Sequence, residues 1–204
     1  CAGAGHGAEP IGRRARPSGD RRLGQTDLRC DHLERDGSDV RERRRLEAIA
    51  AASAATGAAV LVHSEIGTAA HEIIDLLESA GARPDRIALA HLDRNPDWEL
   101  HAEVAARGVT LEYDTIGRTK YHPDSVVLDL IEAVAAAGHL DRIMLGLDLG
   151  SRGYFRAYEG GPGLRYLMTA FAPRLRRRLG EDGALRILVA NPAHFFALPG
   201  DGAA

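Results

Sequence analysis

The chain is short of cysteine: Cys1 and Cys30 are the only two in 204 residues. Both fall in its least patterned part, so neither a disulfide framework nor a cysteine zinc spacing is available. Long apolar runs are missing too. No stretch approaches the roughly 20 residues that a membrane helix needs. No apolar signal-peptide core follows the Gly-, Ala- and Arg-rich start. Charge of one sign is also lacking, with 26 Lys and Arg against 29 Asp and Glu and a net charge of −3. That balance gives no call for nucleic acid or a membrane surface. A Gly-x-Gly-x-x-Gly turn after the first strand is absent, which argues against a dinucleotide-binding fold. The expected setting is the cytoplasm, with a small molecule as partner.

What is there begins late. Residues 1–38 scatter their apolar side chains with neither a 2 nor a 3.6 period. They read as a disordered or atypical segment, or equally as an artefact of a truncated or out-of-frame start. From Ser38 or Asp39, either a capping residue, a helix is predicted to about Thr56, with Gly57 just past its end. Leu46, Ile49, Ala50 and Ala54 form its apolar stripe. The charges from Arg41 to Arg45 read as a solvated face.

A repeating pattern follows. Strands are expected at 58–64, 87–92, 109–115 and 143–147. Helices are expected at 69–80, 97–107 (capped by Asp97) and 124–137, then at 164–178 and 183–197. Strands alternating with helices imply βα units and a parallel sheet. Continuous apolar strands such as Ala-Ala-Val-Leu-Val imply a sheet covered on both faces. The fold class is therefore α/β. About four βα units fit, whereas an eight-stranded barrel needs about 250 residues, so the chain looks like the C-terminal half of one.

Two successive strands end in a histidine, His63 and His91, and the last ends in Asp148. Parallel sheets collect their ligands at the carboxyl ends of their strands. His63, His91 and Asp148 are thus candidate metal ligands. A lone strand-end histidine is more often structural, but two at matching strand ends with an aspartate at a third favour ligation. His71, His101, His122, His139 and His194 are expected at surface or capping positions. Asp114 is a candidate to support a ligand from behind. Asp93 could support His91 or cap its loop, and Glu65 is undecided. Trp98 reads as a packing residue.

Five segments carry a family likeness: Val-Leu-Val-His63-Ser-Glu65, Ala-His91-Leu-Asp-Arg-Asn-Pro-Asp97, Tyr113-Asp-Thr-Ile-Gly-Arg-Thr-Lys120-Tyr121, Leu145-Gly-Leu-Asp148 and Asn191-Pro-Ala193. Together they resemble the phosphotriesterase family of the amidohydrolase superfamily, over about residues 42–198. The resemblance implies a (β/α)8 TIM barrel with two divalent metals, usually zinc, bridged by a hydroxide. In such proteins histidines ending the fifth and sixth strands bind one metal, and these positions match His63 and His91. An aspartate ending the eighth strand binds the other metal and takes the hydroxide's proton, and it matches Asp148. The family's His-x-His on the first strand and its bridging residue on the fourth have no counterpart here. Residues 39–204 are accordingly expected to be the C-terminal half of a metal-dependent hydrolase barrel, weak or inactive alone.

Imidazoles and a carboxylate suit zinc or manganese. The implied reaction is attack of metal-bound hydroxide on an ester, lactone or phosphoester, with Asp148 as base. Lys120, Arg152 and Tyr154 lie just past strand ends and are the candidate substrate-binding residues. Some similar proteins act on phosphorylated sugar lactones, whose phosphate suits an Arg fork and a Lys point charge; solvated loop charges are the plainer alternative. The glycines from Gly150 to Gly163 suggest a mobile or tightly turning loop. The competing readings are a non-catalytic remnant that folds as an oligomer, a homodimer included, and an unrelated open α/β binding protein.

Overall fold

The computed structural model describes residues 40–198. The expected character of residues 1–38, both cysteines and the Ser38 or Asp39 cap lie outside this range. Helix α1 (Val40–Thr56) leads into β1 (Val60–His63), α2 (Ala70–Ser79), β2 (Ile87–Ala90), α3 (Trp98–Ala106), β3 (Thr110–Tyr113), α4 (Asp124–Ala136) and β4 (Ile143–Leu145). After a long loop come α5 (Ala172–Leu185) and α6 (Asn191–Phe196).

The four strands form one parallel sheet in the order β1-β2-β3-β4. Register sets which residues share a face. Leu61 pairs with Ala88, His63 with Ala90, Ala88 with Thr110, and Glu112 with Met144. Because side chains alternate along a strand, Leu61, His63, Ala88, Glu112 and Met144 look to one side. Val60, Val62, Leu89, Leu111, Tyr113 and Ile143 look to the other.

That second side meets the helices and makes the main core. Val62, Ile73, Ile74, Leu77, Leu89, Val104, Leu111, Ile131 and Val134 all lie in it. Each such side chain contributes about 1.5–3 kcal/mol by leaving water. On the opposite side Phe195 of α6 packs with Ala88 and Met144 near the amino ends of the strands. Asn191 fixes α6 there, its Nδ2 donating to the carbonyls of Leu140 and Ile143 at 2.9 and 2.7 Å. The carboxyl ends of the strands stay clear of this plug.

Punctuation follows the sequence. Asp97 caps α3, Oδ1 accepting from the Leu100 amide at 3.2 Å. Gly81 and Gly138 end α2 and α4 with φ of 98° and 91°, a region that other residues enter at a cost. The strands are shorter than their apolar runs, since the pairing stops where the chain turns into the site loops. The expected helices at 164–178 and 183–197 are present as one helical run broken at Gly180 (φ 75°, ψ 175°), in the gap expected between them, with wider five-residue turns at Leu167–Phe171 and Arg186–Ala190 flanking α5. Trp98 is not the packing residue expected: it is 45% exposed. No described helix is long and apolar enough to cross a membrane.

Candidate functional site

His63 closes β1, and His91 directly follows β2 in a left-handed turn with φ of 65°. The Ser64 hydroxyl donates to the Ala90 carbonyl at 2.7 Å and ties the two strand ends together. The imidazoles meet edge to face, centroids 4.5 Å apart and planes 72° apart. Burial lowers the pKa of both. The facing ring lowers that of His63 further, and the Arg94 guanidinium that of His91. Both are therefore neutral near pH 7, the form in which a ring nitrogen offers a lone pair.

Each ring has an acid beside it. Nδ1 of His91 is 2.7 Å from Oδ1 of Asp114, in a buried contact. Burial and the charge of Asp93 push the Asp114 carboxyl up, so this contact holds one proton between the two atoms. With the proton on Nδ1, Nε2 of His91 is the free lone pair. His63 Nε2 stands 3.4 Å from Glu65 Oε2. Asp93 is fully buried and turns elsewhere: its Oδ2 accepts from the Thr115 amide at 2.8 Å and the Thr115 hydroxyl at 2.5 Å. It caps the loop after β3, which settles its role.

Asp148 sits beyond β4 with φ of 40°. Its carboxylate faces arginines. Arg118 Nη1 reaches Oδ2 at 2.8 Å, and Arg94 Nη2 reaches the same oxygen at 3.5 Å. Arg118 Nη2 also donates to the carbonyls of Leu147, at 2.7 Å, and Asp148. Arg94 Nη1 lies 3.5 Å from Glu65. Among the described residues no three His, Cys, Asp or Glu stand together in a way that could hold a metal ion. The donor set therefore fits a metal in part: His63 and His91 present a usable pair, while Asp148 as placed does not join them.

The three expected substrate residues lie on the loops that follow β3 and β4. Lys120 Nζ lies 4.5 Å from the Tyr121 ring centre, and Arg94 lies over that ring at 4.7 Å. Arg118 lies 4.1 Å over Tyr154, and Arg152 4.3 Å over Tyr158. The glycine loop is tightly turned, since a Cβ on Gly160 would collide with the Gly153 carbonyl oxygen.

Three site residues were not foreseen. Arg94 and Arg118 lie inside the quoted motifs, yet nothing in a sequence separates a buried arginine from a solvated one. Glu112 is the third. It shares a face with His63, and its Oε1 lies 2.9 Å from where a Cβ on Gly146 would be. Burial and the neighbouring Asp114 push its carboxyl up to about 8. The period-2 alternation of β3 carried that signal. His101 was expected at the surface and is fully buried, Nδ1 2.6 Å from the Tyr113 hydroxyl. An apolar-faced helix turns it into the core.

The fold agrees with what known proteins show. The phosphotriesterase family model matches residues 24–196, and the chain belongs to that family. A phospho-furanose lactonase of Mycoplasmopsis synoviae (strain 53) is 37% identical over 166 residues, covering 78% of this chain and 47% of that protein. The crystal structure of a lactonase from Listeria monocytogenes superposes with a TM-score of 0.76 at 30% identity, covering 79% of this chain and 51% of that one. The Escherichia coli phosphotriesterase homology protein, solved with phosphate in its active site, gives 0.74 at 29% identity, covering 78% and 55%. The four βα units thus correspond to about half of a TIM barrel of the kind these proteins have. The chain spans about half the length of the curated relatives it matches.

Proposed function

We propose that this chain carries the C-terminal half of a hydrolase that opens a phosphorylated lactone or ester, and that His63 and His91 hold one divalent ion, zinc or manganese. The observation that carries the reading is the pair of neutral imidazoles, 4.5 Å apart at adjoining strand ends, one oriented by Asp114. A bound ion would supply Lewis acidity and a more acidic water at neutral pH.

The chain's own residues do the rest. Asp114 fixes the tautomer of His91 so that Nε2 points its lone pair outward. Asp148 is the base. Arg118 and Arg94 both hold its Oδ2, so Oδ1 is the atom that takes the proton. Lys120, Arg152 and Tyr154 bind the anionic end of the substrate. Planar guanidinium and point-charge ammonium are the groups that phosphate binds well. Phosphate in the active site of the E. coli relative supports an anionic substrate group. Small-molecule esters and lactones are the substrate class.

The test is hydrolysis of a phosphorylated furanose lactone, followed by proton release, with zinc or manganese present. It is run on the 204-residue chain and on a chain completed with the N-terminal half of the Mycoplasmopsis relative. Turnover is expected in the completed protein and at most weakly in the chain alone. It should disappear in His63→Ala and His91→Ala. A folded, completed protein with no metal-dependent turnover would end the reading.

A further inference from the structure

Asp148 is the odd member of the strand-end set. Its partners are cations the chain itself supplies. The side chain of Arg118 is 3% exposed and that of Arg94 8%, so both guanidinium groups are nearly dry, whereas Asp148 keeps 30%. Arg118 is held on three sides. One Nη donates to Oδ2 of Asp148, the other to the carbonyls of Leu147 and Asp148, and its flat face rests on Tyr154. Arg94 reaches the same Oδ2 and is backed by Tyr121. In both, Nε is buried and without a hydrogen-bond partner. A chain buries two charged forks at one carboxylate at considerable cost. The arrangement places positive charge where a metal ion bound to Asp148 would place it.

We propose that Arg118, assisted by Arg94, occupies the cation position at Oδ2 of Asp148, so that a divalent ion takes that oxygen only by displacing the guanidinium and approaches Oδ1 only against its charge. This rests on the reading that His63 and His91 offer the first two donors. The chain is then a site with a built-in competitor. Two imidazoles face each other at the adjoining strand ends, and the third donor is withheld by a charge-assisted hydrogen bond. Apparent affinity falls by the fraction of molecules in which Asp148 is released. Breaking a hydrogen-bonded contact to a charged partner corresponds to about a tenfold or larger population difference. Arg118 acts here through Asp148, as a positioning residue.

The experiment is zinc alone titrated into the 204-residue protein in competition with a chromophoric chelator. The comparison is wild type, Arg118→Gln, Arg118→Lys and Arg177→Gln. Glutamine keeps a polar amide donor but carries no charge. Arg118→Gln should bind zinc at least tenfold more tightly than wild type, Arg118→Lys should stay near wild type, and the exposed Arg177 should not matter. Adding Asp148→Asn to Arg118→Gln should abolish the gain. If Arg118→Gln does not fold, Arg94→Gln removes the weaker contact and should give about a threefold gain by the same reasoning. Unchanged or weaker affinity in the folded variants, a gain that survives Asp148→Asn, or no zinc uptake by any of the proteins would overturn the proposal. Failure of the underlying reading looks different: zinc would then bind equally well after His63→Ala and His91→Ala, whatever stands at 118.

Discussion

The buried pair His101–Tyr113 gives this chain an acid-sensitive core. His101 lies on α3 with no exposed surface, and its Nδ1 meets the Tyr113 hydroxyl at 2.6 Å. Burial pulls its pKa from 6.5 down to about 4, with the Asp97 charge pulling weakly the other way. In the unfolded chain the same ring titrates near 6.5. Between these values the unfolded state binds a proton that the folded state refuses. Stability is therefore full above about pH 6.5 and falls as the pH drops toward 4. Integrated down to pH 4, the loss is about 3 kcal/mol, a large share of the 5–15 kcal/mol that holds a typical domain. His101→Gln separates this effect from general acid unfolding. Its amide oxygen can still accept from Tyr113, but it does not titrate. At pH 7.5 the variant should be less stable by about 1–2 kcal/mol through poorer packing. On acidification its deficit should shrink and then reverse. The assay is urea unfolding at half-unit steps from pH 7.5 to 4.5, followed by circular dichroism. Two parallel stability curves would refute the reasoning, because the proton uptake would then belong to other groups.

Gly146→Ala should destabilise the protein by about 1–3 kcal/mol, since the new Cβ would lie 2.9 Å from Glu112 Oε1 and 3.0 Å from Asp114 Cβ; a thermal melt measures it. Asn191→Ala strips two carbonyls of their donor and unpins α6, and should cost about 1–3 kcal/mol in urea. An unchanged midpoint would show that Phe195 alone holds that helix. Asp114→Ala frees the His91 ring and should weaken zinc binding about 10–100-fold, read by the chelator competition described above. Equal affinity would mean that the ring is fixed by packing alone.

The segment from Ala59 to Asp93 shows how far one dimension reaches. Alternating apolar runs and capped amphipathic stretches were enough to place β1, α2 and β2, and the Asp97 cap and the helix-ending glycines stand where local chemistry puts them. Periodicity and capping act over a few residues, so the chain carries them openly. Parallel pairing of successive βα units then brings His63 and His91 to one edge. The C-terminal region was legible in the same way: Gly180 breaks the helical run in the gap expected between 178 and 183, whereas the wider five-residue turns on either side of α5 carry no local signal.

The order of the elements, the strand-end positions of His63, His91 and Asp148, and membership in a barrel family are written in the sequence itself. The partners of those side chains are not. Arg118 lies 30 residues from Asp148 and Asp114 lies 23 from His91. His101 looked like a surface residue until Tyr113 closed over it. Such pairings depend on sheet register, strand spacing and how completely water is excluded, and these quantities exist only once the chain has folded on itself.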